Sequence, residues 1–140
     1  MPNTELLCLL VLTLLNSVLW IPVVIGYAKT RGPLKPEDYV RAPTTPLPDW
    51  VNRANRAHMN AVENFAPFAV TVIVATVLRV TTGLTAILAM TFVAMRIVHA
   101  IVHITGFDKA MARTVIFTIS NIASVIYTVI VLLQLVGRHG

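Results

Sequence analysis

The chain has 140 residues, of which 56% are hydrophobic and only 12% charged, and its formal net charge is +5. A soluble domain carries about 25% charged residues, so this chain has too few to clothe a water-facing surface. A nucleic-acid binder would need a basic soluble face interleaved with aromatics, and none exists. The single cysteine, Cys8, excludes an intramolecular disulfide and any multi-cysteine metal site.

The apolar residues are gathered into four long runs rather than spread at the periodicity of a soluble core. About 20 apolar residues cross the roughly 30 Å of bilayer hydrocarbon as a helix, and each run is that long. The first span is expected over residues 6–27, broken only by Thr13, Asn16 and Ser17. Glu5 is the only charge before it and Lys29 the first cation after it, so it lacks the positive leader of a signal peptide and reads as a retained helix. Pro22 removes one backbone hydrogen bond and predicts a kink near Trp20. From Ala28 to Asp49, Pro33, Pro36, Pro43, Pro46 and Pro48 break any helix, while Lys29, Arg31, Lys35 and Arg41 solvate the segment as a loop.

The second span is expected over residues 54–80, with Glu63 as its acid, and ends in a tight turn around Thr81 to Gly83. The third, 82–105, carries Arg96, His99 and His103. A turn holding Gly106, Asp108 and Lys109 leads to the fourth, 112–136, which has no charge beyond Arg113. With no repeat and no soluble segment, residues 1–140 read as one domain. The expected class is all-α, an integral membrane four-helix bundle.

Cations set the expected orientation. Lys29, Arg31, Lys35, Arg41, Lys109 and the helix-start residues Arg53, Arg56 and Arg113 share one side, against Arg79 and Arg138 on the other. The positive-inside rule places the first and third loops in the cytoplasm and both termini outside. A multi-pass protein of a bacterial inner membrane is expected, or of an endoplasmic reticulum-type membrane in a eukaryote.

Charges inside spans are costly and therefore mark function. On the second helix Arg53, Arg56, Asn60, Glu63 and Pro67 follow one another at spacings of three, four, three and four, which makes one narrow stripe. On the third, Arg96, His99 and His103 repeat that spacing, and on the fourth Arg113 and Thr114 lead to Phe117, Ser120, Ser124 and Tyr127. These stripes are expected to meet in the cytoplasmic half. Four arginines against Glu63 call for an anionic ligand that also carries a cationic group, because guanidinium forks suit carboxylates or phosphates. No glycine-rich phosphate loop favours a nucleotide, and two histidines alone make a poor metal site, so no metal is assigned.

The segment Arg-Ala-Asn-Arg-Ala-His-Met-Asn-Ala-Val-Glu-Asn-Phe-Ala-Pro-Phe, Arg53 to Phe68, resembles the signature that opens the second helix in the MAPEG family, the membrane-associated proteins in eicosanoid and glutathione metabolism. Arg96-Ile-Val-His99, followed by Arg113-Thr114, resembles that family's second motif. The resemblance covers essentially the whole chain. It implies a homotrimer with glutathione in cytoplasm-facing sites between subunits. It further implies that Arg53, Arg56, Asn60, Glu63, Arg96, His99 and His103 line the glutathione site, with Arg113 stabilising the thiolate. The chain departs from the family at His103 and Phe117, where tyrosines are common, at Met59, an arginine in the prostaglandin E synthases, and by one extra residue between Arg96 and Arg113.

Glutathione suits the residues, since it brings two carboxylates for the arginines, an ammonium for Glu63 and a thiol that needs a cation. A thiol has a pKa near 8.5, and lowering it by about two units takes roughly 2.7 kcal/mol of thiolate stabilisation. An arginine at a helix start, aided by the macrodipole, can supply that. The expected function is a glutathione-dependent transferase or peroxidase, with a lipophilic electrophile arriving from the bilayer as second substrate. A non-catalytic binding protein on the same scaffold is the alternative. A transporter fits less well, because the outer halves of the runs are nearly all apolar. Cysteine labels near Lys35 and Lys109 should react from the cytoplasmic side and labels near His139 from outside; opposite exposure of the two loops would overturn this topology.

Overall fold

The computed structural model describes residues 4–33, 35–40, 44–107 and 111–137. Arg41, Pro43, Asp108, Lys109, Arg138 and His139, all used above, lie outside them. The described chain forms helix α1 (Thr4–Arg31), one 3-10 turn (Pro36–Tyr39), then α2 (Asp49–Val77), α3 (Gly83–Thr105) and α4 (Ala112–Val136), with no strand. All four α-helices are long and apolar enough to cross a membrane. The protein is a multi-pass membrane protein with an all-helical fold.

Helix α1 runs one turn beyond the apolar run and ends at the left-handed Gly32 (φ 76), just before Pro33. Its last turn carries Lys29 and Arg31 at the negative end of the dipole. Arg31 lies 5.1 Å over the Tyr27 ring. Its Nε and Nη2 donate to the Thr45 carbonyl at 3.0 and 2.6 Å, which ties the loop back to α1. The helix continues through Pro22. Thr13, Asn16 and Ser17 donate to carbonyls four residues earlier, and so carry their polar groups through the apolar run.

Helix α2 begins at Asp49, earlier than the apolar pattern implies, because Pro48 ends the loop and an acid suits the positive end of a helix. Helix α3 opens on a reciprocal cap. The Thr85 amide donates to Thr82 Oγ1 at 3.2 Å, and the Thr82 amide donates to Thr85 Oγ1 at 2.7 Å. Left-handed backbone at Gly106 (φ 75) and Met111 (φ 56) brackets the α3–α4 junction.

Helix α1 packs on α2 and α3, α2 on α3 and α4, and α3 on α4. The centre of the bundle is aromatic. Phe68 stacks on Phe92 with centroids 4.2 Å apart and 12° between planes, and Tyr127 meets Phe68 edge-on at 6.4 Å. Leu7, Leu10, Leu14, Val125 and Leu133 point outward, as a lipid-facing surface allows. Polar ties also cross between helices. Thr71 and Thr128 share a hydroxyl hydrogen bond at 2.8 Å, and the buried Glu5 accepts from Thr85 Oγ1 at 2.7 Å.

The α1–α2 crossing depends on Gly26. A Cβ there would run into Val51 Cγ2, lie 2.8 Å from Val51 Cγ1 and 3.0 Å from the Trp50 ring. Gly83, by contrast, has open space around it. Gly26→Ala should therefore lower stability by about 1–3 kcal/mol through overpacking, while Gly83→Ala changes it little. Thermal unfolding in detergent checks both, and equal effects would contradict the close crossing.

Candidate functional site

At about 100° per residue, Arg56 and Glu63 lie within roughly 20° of one another on α2, and Arg53 and Asn60 are rotated about 40–60° to one side. That rotation divides the stripe. Arg56 and Glu63 are exposed on the outside of the single chain, whereas Arg53 and Asn60 are half-buried against α3. Asn60 Oδ1 accepts from Arg96 Nη1 at 2.8 Å. Arg53 Nε donates to the Ile104 carbonyl at 3.4 Å.

Arg96 is 2% exposed. Its guanidinium is held between two rings, with Cζ 5.2 Å from the Phe92 centroid and 5.0 Å from that of Phe117. Nε and Nη2 are buried and find no hydrogen-bond partner among the described residues. The charged hydrogen bond contributes about 1.5–3 kcal/mol and a desolvated cation–π contact about 2 kcal/mol. Together they offset part of the several kcal/mol that burying an ion costs. Arg96 is therefore built into the bundle, one layer behind any ligand.

Toward the α3–α4 junction the same α3 face presents His99, buried, and His103, half-buried, with ring centroids 5.5 Å apart. Phe117 lies 5.9 Å from His99. A cavity of about 320 Å³ opens here, lined by His99, His103, Met111, Arg113, Thr114 and Phe117. Arg113, at the start of α4, thus stands on the same cavity wall as His99 and His103. No third histidine, cysteine or carboxylate joins the two imidazoles as a metal-binding group among the described residues.

The structure thus brings His99, His103 and Arg113 to one cavity and pairs Asn60 with Arg96 behind it. It leaves Arg56 and Glu63 on the outer face. The α4 stripe splits: Arg113, Thr114 and Phe117 face the cavity, while Ser120 and Tyr127 are buried in the bundle. Tyr127 stands about 21 Å along the helix from Arg113, beyond the depth of the cavity. Met111 had no signal in the sequence, since only the left-handed turn into α4 places it on the cavity wall. Phe117 appeared in the stripe, but its place as the ring over Arg96 depends on how α3 and α4 are paired.

A family model, that of the MAPEG family, matches residues 6–133, nearly the whole chain. The comparison with curated proteins found no match.

Because Arg96 has one hydrogen-bonded side-chain partner, Asn60→Leu should lower stability by about 2 kcal/mol, leaving a buried guanidinium without it. Adding Arg96→Met should recover much of that loss, since an apolar pair of similar volume removes the buried charge. Detergent melting curves of the two variants test this, and a double variant less stable than Asn60→Leu alone would refute the pairing.

Proposed function

The chain belongs to the MAPEG family, and from that premise we propose that it is a glutathione-dependent transferase or peroxidase acting on lipophilic electrophiles at the membrane. The observation that carries this reading is the cavity of about 320 Å³ in which Arg113 stands beside two imidazoles at the start of α4. An anionic ligand fits there. Arg56 is suited to the carboxylates of glutathione, Glu63 to its ammonium, and Arg113 with the α4 terminus to its sulfur.

Assembly follows from exposure. Arg56 and Glu63 face outward from a helix able to span a membrane, a placement that is expensive unless another polar surface meets them. A homotrimer, with each site shared between neighbouring copies, would cover them and close the cavity. The loop side of the bundle, which carries Lys29, Arg31 and Lys35, is the side we assign to the cytoplasm.

The chemistry proposed is electrostatic. Arg113 favours loss of the thiol proton to water, and the resulting thiolate attacks either an electrophilic carbon, whose leaving group departs with the bonding electrons, or a peroxide oxygen, which expels an alkoxide that takes up a proton and leaves a sulfenic acid that a second glutathione converts to disulfide and water. The lipophilic partner enters from the bilayer. His103 and Phe117, standing where tyrosines are common in the family, make a binding protein without turnover the second reading.

Native mass spectrometry in mild detergent should show trimers with bound glutathione. Ultraviolet absorbance of the thiolate against pH, with turnover of a generic aryl halide, then separates the roles. Glu63→Gln should weaken binding about tenfold or more, equivalent to losing a charged hydrogen bond. Arg113→Leu should leave glutathione bound with its thiol protonated. Unchanged thiolate and rate in that variant would reject Arg113, and bound glutathione without any thiolate in the unsubstituted protein would favour the second reading.

A further inference from the structure

The end of α3 is closed by its own backbone. The Phe107 amide donates to the Val102 carbonyl at 3.2 Å and the Gly106 amide to the His103 carbonyl at 3.3 Å, around the left-handed Gly106. This pairing is the Schellman arrangement, and beyond it no backbone donor among the described residues reaches the next carbonyl, that of Ile104. Arg53 of α2 supplies one through Nε at 3.4 Å. A cation at that point also complements the negative end of the α3 dipole.

A second observation is steric. A Cβ on residue 106 would sit 3.0 Å from Arg53 Nε, 3.1 Å from Cζ and 3.5 Å from Cδ, so the guanidinium stem occupies the space that glycine leaves open. Arg53 therefore meets the last turn of α3 through its side chain, rotated to one side of Arg56 and Glu63 on α2.

We propose that Arg53 is a positioning residue, a latch that ties the start of α2 to the C-terminus of α3 and so fixes His103 on the wall of the cavity that Arg113 also lines. Gly106 is the other half of the latch. The latch itself follows from these contacts; its effect on thiolate formation rests on the glutathione reading of the cavity.

The test is a cycle of Arg53→Gln and Gly106→Ala in the full-length detergent-purified protein. Left-handed strain from Gly106→Ala is common to both backgrounds and cancels. Gly106→Ala should lower the melting temperature less in the Arg53→Gln background than in the unsubstituted protein; equal losses overturn the latch. With glutathione bound, both single substitutions should cut the thiolate fraction and kcat, by about tenfold for a displacement near the reacting group, with a smaller change in Kd. Arg53→Lys, which keeps a cation able to reach a carbonyl, should restore most of this. Weakened binding in Arg53→Gln at an unchanged thiolate fraction, with Gly106→Ala silent, would make Arg53 a ligand and overturn the proposal. If the unsubstituted protein binds no glutathione, the proposed function fails and the melting cycle alone decides the latch.

Discussion

Bilayer hydrocarbon offers no hydrogen bonds, so every polar group carried into it must be satisfied within the protein. That demand orders the bundle. Small polar residues meet it alone: Thr13, Asn16, Ser17 and Thr76 return their donors to carbonyls of their own helices. Arg96 cannot. With 2% of its surface exposed, its guanidinium requires Asn60 from α2 and two aromatic rings, one from α3 itself and one from α4. Satisfying one cation therefore specifies how three helices are turned relative to one another.

The orientation of those helices creates the cavity. With Phe117 turned onto Arg96, Arg113 and Thr114 follow on the same side of α4 and face His99 and His103 across the gap. Cations beside the cavity are then arranged in two layers. Arg96 is sealed behind the wall, while Arg113 lines the cavity and Arg56 stands on the exposed face of α2. The buried layer organises the wall, and the outer layer is where the proposed anionic ligand would meet guanidinium groups.

Toward the opposite end, where α1 and α3 begin, the bundle is closed by smaller polar contacts. Glu5 is buried against Thr85, the residue that also caps α3, so the first turn of α1 and the first turn of α3 are joined by one hydroxyl. The apolar sequence pattern treated Glu5 only as a charge flanking a span. Its burial became visible once α1 was seen to pack on α3.

Much of this protein is determined by its sequence alone. Four apolar runs of sufficient length, punctuated by prolines and glycines, dictate membrane-spanning helices because the hydrocarbon thickness sets a minimum and Pro33, Pro48 and Gly106 set the stops. The spacing of Arg53, Arg56, Asn60 and Glu63 likewise identifies a polar stripe and, with Arg96 and Arg113, the family. Spacing along one helix has no information about the facing helix, however, and a rotation of about 40–60° within the stripe separates groups of different fate. Tertiary packing decided that Asn60 meets Arg96, that Arg53 lies along the end of α3, and that Arg56 and Glu63 remain outward. It also placed Tyr127 in the aromatic centre and Met111 on the cavity wall. Those outcomes depend on which side of each helix a neighbour covers, a property of the assembled bundle that no single helix encodes.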